Sequence, residues 1–155
     1  MLEDRTCLVT GGSRGIGRAI ATEFGRHGAD VVVNYRSSEA AAEATAEAID
    51  GTDGAAMTAQ ADVSEYGAVE AMRTAVHEEF GGVDVLVNNA GITADRRFEE
   101  MTREDWDRVM DVNLGGTFNC THCFFDDIRG ADEGRLINIS SVVGQQGNYG
   151  QANYA

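Results

Sequence analysis

Eight residues, Thr10-Gly11-Gly12-Ser13-Arg14-Gly15-Ile16-Gly17, have the types and spacing to hold a phosphate. Glycines lack Cβ atoms, so they take left-handed dihedrals and let an anion approach the main chain, while a helix starting behind them offers free N–H groups and positive partial charge. An anionic dinucleotide is the ligand such a turn takes. About 20 residues past the glycines such a site declares its cofactor: a carboxylate bonds the ribose hydroxyl of NAD, whereas an arginine accommodates the extra phosphate of NADP. The segment here is Asn34-Tyr35-Arg36-Ser37-Ser38, which has no acid. Arg14 and Arg36 could both meet a 2′-phosphate, which favours NADP(H) over NAD(H); the plainer reading is two solvated surface arginines.

Other candidates divide into those with a chemical use and those without. Asn113 interrupts the apolar face of a long helix beside Gly115-Gly116. A mid-helix amide next to two poor helix formers costs stability, so either a functional role or a buried, satisfied amide must explain it. Cys120-Thr121-His122-Cys123 has the spacing of a metal or redox pair, but no second ligand pair exists and the segment lies on the helix, so packing is the reading and no metal is expected. His27 before Gly28 suits a helix C-terminus, and His77 sits on an Ala/Glu-rich helix without an implied Ser or Cys partner. The adjacent pairs Glu99-Glu100 and Asp126-Asp127 point apart, as solvated faces do.

The elements that must carry these residues alternate. Thr6-Cys7-Leu8-Val9 is an apolar strand ahead of the glycine turn, and an amphipathic run with Ile20 and Phe24 follows, ending at Gly28. Asp30–Tyr35 is a β-branched run without alternation, as for a strand covered on both faces. Ser37-Ser38 can cap a helix that ends near Asp50-Gly51, and Ala55–Ala59 is a third strand. Ser64 opens a helix on which Val69, Met72, Val76 and Phe80 fall at helical spacing, and Val83–Val87 is strand four. Thr102-x-x-Asp105 forms a capping box before one long helix through Trp106, Val109, Met110, Leu114 and Phe118, and Arg135–Ile139 is strand five. This alternation predicts an α/β fold: a doubly wound, Rossmann-type parallel sheet with helices on both faces, binding its ligand at the strands' carboxyl ends.

Composition narrows the partners. The 155 residues, 43% hydrophobic, suffice for one domain with a real core, without linker or repeat. A net charge of −14 repels phosphate backbones and anionic lipid, so nucleic-acid and membrane-surface binding are disfavoured. Every basic residue is arginine and lysine is absent. At molar salt the Debye length falls to about 3 Å and self-repulsion fades, so the composition resembles that of proteins from salt-loving microbes. No apolar run approaches a membrane span and the three cysteines are an odd number, which together with the charged start predict a cytoplasmic protein without disulfides.

The pattern T-G-x-x-x-G-x-G at Thr10–Gly17, the Asn88-Asn89-Ala90-Gly91 signature after strand four, and Ser140-Ser141 followed by Tyr154 in Asn148-Tyr149-Gly150-Gln151-Ala152-Asn153-Tyr154 resemble the short-chain dehydrogenase/reductase family over the whole chain. The resemblance implies a cofactor site of Gly11, Ser13, Arg14, Gly15, Ile16, Gly17, Arg36, Asp62, Val63, Asn89, Ala90 and Gly91. Asp62 with the Val63 N–H would hold the adenine, although a loop Asp capping the helix at Ser64 is an equal reading. It assigns Ser141 to the substrate carbonyl oxygen, Tyr154 to proton donation and Asn113 to a water in a proton relay, with Tyr149 and Gln151 near substrate. The chemistry asks for such groups: hydride reaching a ketone carbon leaves negative charge on oxygen, which needs a hydroxyl donor and then a proton.

Asn89–Thr93, Met101–Trp106 and Ile139–Gln145 look most like reductases of 3-oxoacyl thioesters. They imply NADPH-dependent reduction of acetoacetyl-CoA or a 3-oxoacyl carrier protein, in fatty acid or polyhydroxyalkanoate synthesis, by a homo-oligomer (dimer or tetramer). Val32–Ser37 resembles glucose-dehydrogenase-like sugar oxidisers as well, and a non-catalytic nucleotide-binding fragment is the third reading. Ala94 stands where an Arg is frequent. The family's Lys, four residues after the Tyr, and its last strands would lie past Ala155, so the chain is expected to be an N-terminal part.

Overall fold

The computed structural model describes residues 2–155. Five parallel strands, β1 (Thr6–Val9), β2 (Asp30–Tyr35), β3 (Ala56–Gln60), β4 (Val85–Asn88) and β5 (Arg135–Asn138), form one sheet in the order β3-β2-β1-β4-β5. The order reverses between β1 and β4, which opens a crevice at their carboxyl ends.

Period-two alternation on central strands builds two cores. Leu8, Val32 and Leu86 point to one face, where they meet Val69, Met72 and Val76 of α3 (Tyr66–Phe80), Cys120 of α5 (Gly116–Cys123), and Phe124. Cys7, Val9, Val31, Val33, Val85 and Val87 point to the other, against Ala21 of α1 (Gly15–Arg26) and Ala42 and Ile49 of α2 (Glu39–Asp50). Both faces are covered, so the expected doubly wound α/β architecture is the one observed. Burial pushes the thiols of Cys7 and Cys120 up to about 12, and both remain free.

Three local expectations give way. The helix after β3 starts at Tyr66, not Ser64, because Asp62 Oδ1 accepts from both the N–H and hydroxyl of Ser64 and the Glu65 N–H bonds the Asp62 carbonyl, forming a turn first. The long helix is not continuous. The Thr102–Asp105 box starts α4 (Arg103–Met110), Asp111–Gly115 is a π-turn in which the Gly116 N–H reaches back to the Asp111 carbonyl, and α5 then runs only to Cys123. α6 (Phe125–Gly130) follows after a break at Phe124. That break turns Asp127 inward: its carboxylate is 8% exposed and accepts from His77 Nε2 at 2.7 Å and Arg73 Nη2 at 3.1 Å, so the expected solvated pair holds only for Asp126. His77 thereby gains a partner that sequence spacing did not imply.

β5 lies at the sheet edge, with Leu136, Ile137 and Ile139 each about 40% exposed. The short α7 (Val143–Gln146) follows it. Among the described residues no helix is long and apolar enough to cross a membrane.

Candidate functional site

The glycine turn is built by its neighbours. Gly11 and Gly15 adopt φ of 63° and 56°, the left-handed region that glycine enters without strain. A Cβ on Gly17 would collide with the Gly11 carbonyl oxygen and stand 2.5 Å from Asn89 Nδ2, so the start of α1 can lie against the turn only without a side chain there. α1 has no side-chain cap at Arg14 and no acid in its first turn. Its first N–H groups, which no helical carbonyl can accept, therefore face the crevice free of a competing anion.

Three amides fix the crevice walls. Thr10 Oγ1 accepts from the N–H groups of Asn89 and Ala90, both at 2.9 Å, while Asn89 Nδ2 donates to the carbonyls of Thr10 at 2.8 Å and Gly11 at 3.3 Å. Asn34, 1% exposed at the end of β2, accepts from the Gly11 N–H and donates to the carbonyls of Ala59 and Ala61. Asn119 on α5 donates to the carbonyls of Val63 and Ser64, steadying the loop after β3. Asn34 and Asn119 escaped the sequence reading as site-builders. Asn34 carried a signal: a polar amide closing a run of three valines.

Every residue expected to hold the dinucleotide lines one cleft of about 340 Å³ at the carboxyl ends of β1, β2, β3 and β4. It is lined by the glycine turn, by Arg36, Ser37 and Ser38 after β2, by Asp62 and Val63 after β3, and by Asn89, Ala90 and Gly91 after β4. Arg14 is exposed, and Arg36 Nη1 stands 3.8 Å from Asp62 Oδ2. Asp62 thus makes the turn that precedes α3 and keeps one oxygen toward the cleft's arginine.

The expected catalytic groups lie outside that lining. Asn113, in the π-turn, accepts from the Ile92 N–H at 2.8 Å and donates to the Ile92 carbonyl at 3.0 Å, so its amide is spent on the loop after Gly91. Its main-chain carbonyl accepts from Thr117 Oγ1. Ser141 is half-buried after β5 and its Oγ accepts the Val143 N–H at 3.2 Å. Tyr154 is half-buried in a turn closed by its N–H on the Gln151 carbonyl, and the next residue, Ala155, packs its carbonyl against Gly144 of α7. Gln151 is buried with its amide engaged by Asp95 and Asn148, whereas Tyr149 is 80% exposed. Among the described residues no three His, Cys, Asp or Glu side chains converge on a metal position.

Residues 5–155 match the sequence profile of the short chain dehydrogenase family. The chain is 46% identical over 150 residues to the 3-oxoacyl-(acyl-carrier-protein) reductase FabG of Staphylococcus aureus strain N315, covering 97% of this chain and 61% of that protein. It is 44% identical over 151 residues to the protein of that name from Staphylococcus epidermidis strain RP62A, covering 97% and 62%. It is 44% identical over 154 residues to the 3-oxoacyl-(acyl-carrier-protein) reductase of Synechocystis sp. strain PCC 6803, covering 99% and 62%. The chain therefore spans about three fifths of the length of these relatives.

Proposed function

This chain belongs to the short-chain dehydrogenase family, and from that premise we propose that it carries the cofactor seat and the hydroxyl pair of an NADPH-dependent reductase of 3-oxoacyl thioesters. The observation that carries the reading is the uncapped start of α1, opening on a cleft that also holds Arg14 and Arg36 in a protein of net charge −14. Two arginines and a row of free N–H groups beside one cleft of an acidic chain support a seat for a pyrophosphate and a 2′-phosphate.

Bound there, the dinucleotide would supply hydride to the 3-oxo carbon. The protein's part is to position and to move a proton. Gly11, Gly15 and Gly17 let the phosphates reach the main chain; Arg14 and Arg36 take the 2′-phosphate; Ala61 and Val63 offer apolar wall to the adenine beside Asp62. The Ser141 hydroxyl donates to the carbonyl oxygen as charge builds on it, and the Tyr154 hydroxyl delivers the proton that completes the alcohol. Asn113, set in the π-turn against the Ile92 loop, holds the relay water. Tyr149, exposed beside this turn, is available to the acyl chain.

The names of the relatives support the thioester as substrate. Exposed Leu114, Phe118 and Phe125 support a homo-oligomer, and three free cysteines a reducing, cytoplasmic setting. The test is turnover of acetoacetyl-CoA with NADPH by the full product of the gene, followed by loss of the reduced cofactor's absorbance. Ser141→Ala and Tyr154→Phe should each abolish turnover and leave NADPH binding intact; retained turnover in Tyr154→Phe overturns the assignment.

A further inference from the structure

The segment that carries Tyr154 is not free: it is fastened to the loop after β4 and to α4 by four contacts that the proton-transfer scheme does not use. Gln151 Nε2 lies 3.0 Å from both carboxylate oxygens of Asp95, and Gln151 Oε1 accepts from Asn148 Nδ2 at 2.9 Å. Asn153 Nδ2 donates to the carbonyls of Ala94 at 3.1 Å and Asp105 at 3.0 Å. The Arg96 N–H donates to the Gly150 carbonyl at 2.7 Å, and Arg96 Nε pairs with Asp105 Oδ2 at 2.9 Å. Gln151 and Asn153, polar residues either side of exposed Ala152, are themselves buried.

Two features mark this as a device for position. Asn153 Oδ1 is buried without a donor, so the residue is kept for its two donated bonds at the expense of its acceptor. The residues grasped, Ala94, Asp95 and Arg96, lie in the loop that follows Asn89-Ala90-Gly91, and Ile92 in the same loop is gripped by Asn113. The cleft wall and the tyrosine segment are thereby fastened to one short loop. We infer that Asp95 and Gln151, with Asn153, are positioning residues that hold the Tyr154 hydroxyl in register with the cofactor cleft. The inference rests on the reductase reading above. A carboxylate accepting from a primary amide is a directional pair, and a displacement of about 1 Å in a catalytic group costs up to a hundredfold in rate.

The geometry offers a test that separates position from stability, because Asp with Gln and Asn with Glu are the same pair with its donor and acceptor exchanged. In the full gene product, Gln151→Glu sets two carboxylates together. It should lower kcat roughly ten- to a hundredfold at neutral pH, leaving the NADPH dissociation constant within about twofold. Activity should recover toward acid, where one proton shared by the two carboxyls restores the bond. The double variant Asp95→Asn, Gln151→Glu re-forms the pair, keeps an oxygen for Asn148, and should return kcat to near wild type. Asp95→Asn alone retains an acceptor oxygen and should keep most activity. Unchanged kcat in Gln151→Glu, a double variant no better than the single, or equal loss of NADPH binding overturns the inference while wild-type turnover stands. Wild type without turnover overturns the reductase reading and the inference with it.

Discussion

Asn89 Nδ2 donates to the Thr10 carbonyl at 2.8 Å, and in return the Thr10 hydroxyl accepts the Asn89 N–H, so the ends of β1 and β4 are stitched together by residues 79 positions apart. The cofactor turn is thus held from outside itself. Removing the amide in Asn89→Ala forfeits two donated bonds of about 1 kcal/mol each, which predicts NADPH binding weaker by roughly ten- to thirtyfold with the fold retained. Titration of cofactor fluorescence reads this. Gly17→Ala should be worse, since its methyl would meet the Gly11 oxygen and displace that amide. Wild-type affinity in both variants would show that the turn needs no such support.

The proposed preference for NADPH turns on Arg36. Losing one charged hydrogen bond costs about 1.5–3 kcal/mol, so Arg36→Asp should weaken NADPH about ten- to a hundredfold while sparing NADH, whose ribose hydroxyl a carboxylate can accept. Asp62, 3.8 Å from the guanidinium, would then face a like charge, so some loss of stability should accompany the switch. Equal NADPH affinity in wild type and variant, measured by titration, sinks the assignment of Arg36.

The site was legible in the sequence where one residue type has one job. Glycines at Gly11, Gly15 and Gly17 announced a turn, and the valines of β2 announced a doubly covered strand. Residues whose role is set by distant partners were not legible. Asp127 reads as half of an acidic pair until the break at Phe124 turns it to His77. Asp95 carries no local signal, because its partner Gln151 is 56 residues away. The π-turn at Asp111–Gly115 was foreshadowed only as a mid-helix amide beside two glycines, since helical periodicity cannot register one inserted residue.

The net charge predicts a salt requirement. With −14 on 155 residues, folding should strengthen steeply from dilute buffer to molar KCl, where screening acts within about 3 Å. Circular dichroism melting across that range is the measurement. A melting temperature independent of salt would identify an ordinary acidic enzyme.

Asp127 joins α6 to α3 through a nearly buried carboxylate. Asp127→Ala leaves Arg73, whose Nε is already buried without an acceptor, and His77 both unpartnered. A loss of about 1–3 kcal/mol is expected, lowering the melting temperature by several degrees without touching cofactor affinity, because the cluster lies at the opposite end of the sheet from the cleft. Calorimetry with and without NADPH separates the two effects, and an unshifted melting temperature would refute the role.

Acid should act on α4 through Asp105. The N–H and hydroxyl of Thr102, and then Arg96, hold its carboxyl below the ordinary value of 3.8. A carboxyl depressed on folding contributes stability that is present in full above its unfolded value and disappears as pH falls through its folded one, so the contribution fades below about pH 4. Asp105→Asn should therefore narrow the difference in stability between neutral and acid pH. Thr102→Ala, which removes the cap from the other side, should cost about 1 kcal/mol at neutral pH. Because Asp105 also receives Asn153 on its carbonyl and Arg96 on its carboxylate, a frayed α4 should loosen the Tyr154 segment too. Amide exchange of residues 148–155 would then quicken in Thr102→Ala, and unaltered exchange there would show that the contacts of Ala94, Asp95 and the Arg96 N–H are enough to hold the segment.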